Sequence, residues 1–424
     1  MMNLGPNFAQ SRFNLHSQMI NNNLRKLKIY PQQRAALVAL RKWFNAPDKD
    51  KTALVVLPTG AGKSGVAALA PFVLNATRVL VITPSEIITK QLIADFNGSL
   101  SPEKQSFYEA REMLSLDEIS FFIEPGLAQL KSLTNTALVP LFRSRNLIIA
   151  NAHKFGSHSN VNIEQIPNDL FDTVIVDEAH HYPAETWKRI IDHFQAASRR
   201  IFLTATPYRK SGPIFDDVAT INEQRQKYVA YEVSRQECVL GGLIRGLEFL
   251  ERGLLNEANE ETRVIEIAQA IQQKLAEHDQ IDSTIRHQAM VLTHTITEAT
   301  MVKDIYNNLF PPINGQKKPA VTYVGQDNGS NLIEFKKGNR CVMVVCGKAL
   351  EGFDCNRVSV CAILRNVQPA SKVLFPQFVG RCVRKASDND PVTATVISHA
   401  FHRQRANFDN LDKLADAGVD PEDD

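Results

Sequence analysis

Long hydrophobic runs are missing from this 424-residue chain. Nowhere do about eighteen apolar residues follow one another, which excludes a membrane-spanning helix. The first residues also lack the apolar core of a secretory signal. Charge of one sign is missing too: 48 Lys and Arg against 46 Asp and Glu leave a net charge of +2. That balance names no partner, because a basic groove can be offset by acidic faces elsewhere. Cysteine is scarce, with Cys238, Cys341, Cys346, Cys355, Cys361 and Cys382 the whole set. None forms a C-x-x-C pair and no His stands at zinc-finger spacing beside them, so no structural metal is expected. They read as reduced, buried thiols of an intracellular protein, cytoplasmic or nuclear. Acidic residues are absent before Asp48, while Arg12, Arg25, Lys26 and Lys28 are present. This is a feature of organellar transit peptides, but the Asn- and Gln-rich composition of residues 1–23 reads more simply as a disordered polar tail.

What remains is the balance of a soluble globular chain, 44% apolar and 22% charged, long enough for two or three domains with cores of their own. Short apolar runs recur at Ala53–Leu57, Val79–Thr83, Leu147–Ala150, Thr173–Val176 and Ile201–Thr204. Each is continuous rather than alternating and ends in a polar or Gly-containing turn. Such runs are strands buried on both faces, hence a parallel sheet covered by helices, whose ligands bind at the carboxyl ends of the strands. A second series follows at Ala289–Leu292, Val321–Val324, Val342–Val345, Val360–Leu364 and Ala394–Ile397. The fold class is therefore α/β, with one domain over residues 24–210, a linker over 211–262, and a second domain over 263–408 opened by a helix from Arg263 to Leu275. Residues 409–424 form an acidic tail. No internal repeat at a solenoid period is visible.

The chemistry falls where such a sheet would place it. After the first run comes Pro58-Thr59-Gly60-Ala61-Gly62-Lys63-Ser64, in which glycines let backbone N–H groups turn toward phosphates. Lys63 would reach the β- and γ-phosphates, Ser64 would bind Mg²⁺, and the helix that follows would aim its positive end at the same charge. Leu57 stands where the general phosphate loop has its first glycine. After the fourth run comes Asp177-Glu178-Ala179-His180. Asp177 is suited to hold hydrated Mg²⁺ and Glu178 to orient and deprotonate the attacking water, although a strand-end acid pair can also simply cap a helix. After the fifth run, Thr204-Ala205-Thr206 offers hydroxyls that could couple those carboxylates to movement elsewhere.

In that order the three segments resemble motifs I, II and III of the superfamily 2 helicases. Leu350-Glu351-Gly352-Phe353-Asp354 resembles motif V, Gln377-x-x-Gly380-Arg381-x-x-Arg384 resembles motif VI, and Tyr30-Pro31-Gln32-Gln33 is similar to the adenine-reading Q motif. The wording of the motifs is most similar to the branch of type III restriction helicase subunits and excision-repair helicases. The resemblance runs from about Leu24 to Leu411. It implies two tandem RecA-like α/β domains with ATP in the cleft between them, Gln33 at the base, and Gly352 and Asp354 at the ribose. It also implies a coupling role for His180 with Thr204 and Thr206. Arg381 and Arg384, one helical turn apart beside Gln377, would supply the guanidinium that stabilises charge on the transferred phosphoryl group.

By the same resemblance a nucleic-acid strand lies along Pro84, Ser85, Gln91, Asn151 and His153, and along Thr293, His294 and Cys346. Small polar groups at strand ends suit phosphate contacts, which position a strand without reading its sequence. Asn151 and Cys346 stand where threonine is usual, and a thiol is a poor donor. The function implied is an ATP- and Mg²⁺-dependent translocase or helicase, acting on DNA in preference to RNA. The other readings are an RNA helicase and an ATPase that senses nucleic acid without unwinding it. A nuclease or other partner subunit would fit the restriction resemblance. No membrane partner is expected.

Overall fold

The computed structural model describes residues 6–97, 105–114, 127–129, 135–156, 161–182, 184–209, 212–213, 227–312, 316–325, 329–347, 353, 355–368 and 374–411. The chain forms two compact units, Met1–Val233 and Ser234–Asp424. Among the described residues, the first begins with α1 (Pro6–Asn23), α2 (Pro31–Asn45), β1 (Thr52–Val56), α3 (Lys63–Val73), β2 (Val79–Thr83) and α4 (Glu86–Asn97). It continues with α5 (Phe107–Ala110), β3 (Leu127–Gln129), α6 (Asn135–Arg143), β4 (Leu147–Asn151), β5 (Thr173–Asp177), α7 (Glu185–His193) and β6 (Arg199–Thr204). A small antiparallel pair, β7 (Tyr208–Arg209) and β8 (Gly212–Pro213), precedes the last strand, β9 (Val229–Glu232). The sheet runs β3-β4-β2-β5-β6-β1-β9 with every pairing parallel. All residues of β1, β2, β4 and β5 are buried, the two-faced burial that their continuous apolar runs predict.

The first residues depart from the expected disordered tail. Helix α1 lies against the carboxyl end of α3, where Phe13 and Ile20 are fully buried and the Phe13 ring meets Phe72 edge-on at 5.2 Å. Ser17 Oγ donates to the Phe72 carbonyl at 2.6 Å and Asn21 Nδ2 to the Val73 carbonyl at 3.3 Å. A helix end leaves carbonyls without intrahelical partners, so the small polar residues that make this stretch look unstructured are the ones that satisfy α3.

The supposed linker also divides differently. Its stretch Val229–Glu232 is the edge strand beside β1, whereas Ser234 begins the second unit. There α8 (Arg235–Leu240) and β10 (Leu247–Arg252) precede α9 (Glu260–Ile281), β11 (Gln288–Leu292), α10 (Ile296–Leu309), β12 (Ala320–Tyr323) and α11 (Ser330–Lys336). The unit closes with β13 (Val342–Val345), β14 (Val358–Ile363), α12 (Leu374–Val379), β15 (Ala394–His399) and α13 (Arg405–Asp409). This sheet, β10-β15-β14-β11-β13-β12, is parallel throughout. Helix α9 starts earlier than its apolar pattern indicates because Asn259 Oδ1 accepts from the Thr262 N–H at 3.1 Å, and Glu260 and Glu261 suit the positive end of a helix. The acidic tail lies outside the described residues from 412 onward.

A buried ion pair organises the second unit. Arg245 and Asp390 have no exposed side-chain surface, and the Arg245 Nη2 to Asp390 Oδ2 distance is 2.6 Å. Arg245 Nη1 also donates to the carbonyls of Val358 and Cys382, at 2.7 and 3.2 Å. Asp390 accepts the N–H groups of Ala386 and Val392, at 2.8 and 2.9 Å. These bonds, with Arg245, hold its carboxyl below the usual range although burial alone would raise it. Removing one partner leaves the other charge buried and uncompensated. Asp390→Ala is therefore expected to lower the stability of the second unit by about 3–5 kcal/mol, read as an earlier transition in urea. An unchanged midpoint would show that the pair is dispensable.

Candidate active site

Parallel register brings the predicted site residues of the first unit to one edge. In the central pairings Val56 stands opposite Thr204 and Asp177 opposite Leu203, so β1, β5 and β6 finish together. The Leu57 N–H then bonds the Thr204 carbonyl at 2.9 Å, and its side chain is fully buried. The missing first glycine has a plain reason: position 57 still belongs to the core.

From there the loop turns through Gly60 at φ 86° and Gly62 at φ 90°, left-handed conformations that a Cβ would strain. The Ala61 N–H bonds the Pro58 carbonyl at 3.0 Å, closing the turn in which Thr59 lies, and α3 begins directly at Lys63 and Ser64. Gln33, on α2 and almost fully buried, fastens this loop. Its Oε1 accepts the Tyr30 N–H at 2.9 Å, and its Nε2 donates to the Gly62 carbonyl at 2.8 Å. A Cβ added at Gly62 or Gly65 would lie 2.3 or 2.2 Å from that same Nε2, so both glycines are required for the amide to reach the loop.

Lys63 Nζ lies 3.8 Å from Glu178 Oε1. Glu178 itself has φ 51° and ψ 55°, a left-handed conformation costing about 1–3 kcal/mol for a residue with a Cβ. The strain sits at the residue predicted to act on water. Next to it, burial pushes the Asp177 carboxyl up to about 7, the Glu178 charge adding to the shift and Lys63 opposing it. His180 Nδ1 is 3.6 Å from Glu178 Oε2 and 3.5 Å from Thr204 Oγ1. Thr204 Oγ1 in turn donates to the Thr206 carbonyl at 2.8 Å and accepts its N–H at 3.1 Å. A continuous path thus runs from Glu178 through His180 to the Thr204–Thr206 turn.

The predicted strand-binding residues of the first unit gather elsewhere on the same edge. Thr83 and Asn151 are register partners at the ends of β2 and β4, bringing Pro84 and Ser85 near Asn151 and His153 in the fold. Asn151 Oδ1 accepts the His153 N–H at 2.8 Å, and Ser85 Oγ accepts the Ile88 N–H at 3.3 Å. Both side chains cap local backbone. Gln91 lies further along α4. In the second unit Thr293 and His294 follow β11 and Cys346 follows the adjacent β13; Thr293 Oγ1 donates to the Val345 carbonyl at 3.2 Å, and Cys346 Sγ to the His294 carbonyl at 3.0 Å.

Motif VI corrects one expectation. Helix α12 carries Gln377 but stops at Val379, so Arg381 and Arg384 do not share a helix face. Gly380 closes the helix through its N–H to the Pro376 carbonyl at 2.8 Å, and the chain then turns until Arg384 bridges Ile244. Both arginines nevertheless converge: Arg381 Nη1 and Arg384 Nη1 donate to the Phe353 carbonyl at 2.8 and 3.4 Å. Gly352 and Asp354, on either side of Phe353, lie outside the described residues. Sequence reasoning missed Phe107, which lies against Gly65, Arg111, which stands over Tyr30, and Tyr108, which bonds the Ala68 carbonyl; their only signal was an aromatic pair followed by an arginine at helical spacing.

Comparison with known proteins agrees with the motif reading. The family model described as the type III restriction enzyme res subunit matches residues 26–209. A curated relative, DNA 3'-5' translocase XPB2 of Sulfurisphaera tokodaii, is 24% identical over 381 residues, covering 82% of this chain and 77% of its own. A fragment of a putative HsdR subunit of a type I restriction enzyme from Vibrio vulnificus superposes with a TM-score of 0.60 at 17% identity, over 91% of this chain and 67% of that one. The helicase Lhr of Mycobacterium smegmatis, solved with ssDNA and AMP-PNP, gives a TM-score of 0.53 at 16% identity, over 96% of this chain and half of that one. The structural likeness is of fold: two tandem RecA-like α/β units.

The raised Asp177 carboxyl generates a prediction. Because it titrates above its ordinary 3.8, the folded state holds an extra proton between that value and about 7. Stability of the nucleotide-free first unit therefore falls as pH rises through this window and stays low above it. Asp177→Asn is expected to flatten the slope and raise the unfolding temperature near pH 8 on the order of 5 °C. A variant that melts at or below the wild-type temperature there would contradict the burial argument.

Proposed function

We propose that this chain, matched over residues 26–209 by the model of the type III restriction enzyme res subunit, is a superfamily 2 helicase-type enzyme that hydrolyses ATP to translocate on DNA. The observation that carries the reading is the convergence of Lys63, Asp177, Glu178 and the His180–Thr204 contact on one sheet edge, beside a phosphate loop fastened by Gln33. In this reading Thr59 to Ser64 cradle the phosphates. Lys63 neutralises β- and γ-oxygens and Glu178 removes a proton from the attacking water. Arg381 and Arg384, supplied by the second unit, stabilise charge on the transferring γ-phosphate, with Gln377 positioning them. Gly352 and Asp354 are proposed at the ribose.

The donors at this edge fit Mg²⁺. The Ser64 hydroxyl and the Asp177 carboxylate are hard oxygen ligands, and a carboxyl held up by burial is one that a cation would bring down. When bound, the ion would neutralise phosphate charge and order the triphosphate.

Supporting DNA as the track, XPB2 is named a DNA translocase and Lhr was solved with ssDNA. An ATP-dependent Type ISP restriction-modification enzyme, LlaBIII, bound to DNA, shares the fold with a TM-score of 0.56 at 15% identity, over 87% of this chain and 27% of that one. The contacts proposed are Pro84, Ser85, Gln91, Asn151, His153, Thr293, His294 and Cys346, through strand-end backbone and phosphate oxygens. This chain spans 67% of the HsdR fragment and 27% of LlaBIII; a nuclease or other partner subunit is proposed from the restriction resemblance alone. His180, Thr204 and Thr206 are proposed to couple γ-phosphate loss to movement of the grip on DNA.

ATP turnover is to be measured alone and with single-stranded DNA, duplex DNA and RNA. Stimulation by DNA with coupled movement along it is expected. Stimulation by RNA alone would replace the reading with an RNA helicase, and stimulation without movement would replace it with a nucleic-acid-sensing switch. Glu178→Gln should bind ATP and lose hydrolysis, while Arg384→Ala should lower kcat by about 10³-fold with ATP affinity within several-fold of normal. Wild-type turnover in Arg384→Ala would remove the arginine from the reaction.

A further inference from the structure

Helix α5 lies between β2 and β4 in the chain, away from every helicase motif, yet its Phe107 reaches the first turn of α3, next to the phosphate loop. It is held firmly. Tyr108 is fully buried, donates its hydroxyl to the Ala68 carbonyl of α3 at 3.0 Å, and packs edge-on against Phe72 and Phe96 at 5.7 and 6.3 Å. Ser106 and Glu109 cap the turn reciprocally, the Glu109 N–H bonding Ser106 Oγ at 3.2 Å and the Ser106 N–H bonding Glu109 Oε2 at 2.9 Å. This anchoring fixes two neighbours. Phe107 Cε2 comes so near Gly65 that a Cβ there would lie 2.9 Å away. The Arg111 guanidinium stands 5.2 Å from the Tyr30 ring centroid and 6.0 Å from that of Phe107.

Tyr30, Phe107 and Arg111 are each only partly buried, so the cluster has open surface, and it surrounds Gln33, whose amide already touches Gly62. Flat, polarisable groups of this kind bind the face of a heteroaromatic base, and the loop beside them is shaped for the phosphates attached to one. We propose that α5 and Arg111, the residue that ends it, supply the base-stacking wall of the nucleotide site: the purine of ATP enters between Tyr30 and Arg111, with Phe107 backing the guanidinium. Planar groups stack at about 3.5 Å. A base between the two therefore requires roughly 7 Å, an opening of about 2 Å that the long Arg111 side chain can make by changing rotamer. The inference rests on the nucleotide-site reading and adds Phe107 and Arg111, which none of the motifs contains.

The experiment is isothermal titration of the full chain with ATP, ADP and inorganic tripolyphosphate, with ATP turnover alongside. Arg111→Ala should weaken ATP and ADP alike, by about three- to thirty-fold as expected for loss of a cation–aromatic contact, and leave tripolyphosphate binding as it was. The turnover loss should appear in KM rather than kcat. Arg111→Lys keeps the charge but not the plane, and should recover only part of the affinity. Phe107→Leu should give a smaller loss of the same kind, with the melting temperature reporting whether the fold is intact. ATP affinity unchanged in Arg111→Ala overturns this inference alone, as does tripolyphosphate weakened to the same extent as ATP. A wild-type chain that binds no ATP overturns the nucleotide-site reading and this inference with it.

Discussion

Everything at the candidate site depends on β1, β6 and β5 ending together. In a parallel sheet neighbouring strands point the same way, so a fixed register lines up their carboxyl ends and the loops that leave them. Here Val56 opposes Thr204 and Asp177 opposes Leu203, and from that alignment alone a lysine, two carboxylates and a threonine arrive within one small region. Slipping one of these strands by one residue would turn its own side chains to the other face and carry the loop that leaves it out of line. The buried apolar runs are therefore as much a part of the site as the polar residues, since burial on both faces leaves the strands little freedom to slip.

The site gathers strain and desolvation that the scaffold must hold. Glu178 keeps a left-handed backbone that a non-glycine residue rarely adopts, and Asp177 is buried beside another carboxylate. Neither would persist on an exposed loop. Asp177 ends, and Glu178 immediately follows, a strand whose residues are all buried, where packing fixes the chain direction. Gln33 makes the corresponding fixation on the other side, holding the Gly62 carbonyl and the Tyr30 N–H with one amide. An amide can do this because it donates and accepts at once, which neither a carboxylate nor an ammonium can do.

The sheets were legible in the sequence because their strands are buried on both faces and read as continuous apolar runs; Val79–Thr83 and Val342–Val345 match residue for residue. The phosphate loop and the Asp177–Glu178 pair were legible because backbone turns and phosphate chemistry restrict residue type at fixed spacing. What failed to show was structure stabilised from a distance. Edge strand β10 exposes part of both faces and carries no apolar run. Helix α1 contributes polar caps to a helix far along the chain, and local composition there suggests a disordered tail. Helix α5 is too short to declare a periodicity, and its anchor Tyr108 acts on Ala68 across 40 positions. The end of α12 was misplaced because R-x-x-R fits a helical turn, whereas Gly380 and the pairing of Arg384 with Ile244 draw the chain out of the helix.

That last departure leads back to Arg245. Its guanidinium bonds the carbonyls of Asn356 and Val358, after the motif V segment, and of Cys382 within motif VI, while its own N–H bonds the Val383 carbonyl at 2.7 Å. One buried side chain thus ties the two segments that carry the remaining predicted site residues, and Asp390 balances its charge. Apolar residues of the same volume could fill the space at similar or greater stability, but they would offer those carbonyls no donors and would leave the turn after α12 to set its own course. Planar geometry and a full complement of donors make arginine suited to holding several carbonyls in one plane. On this argument the pair matters more for where it places Arg381 and Arg384 than for the stability it adds.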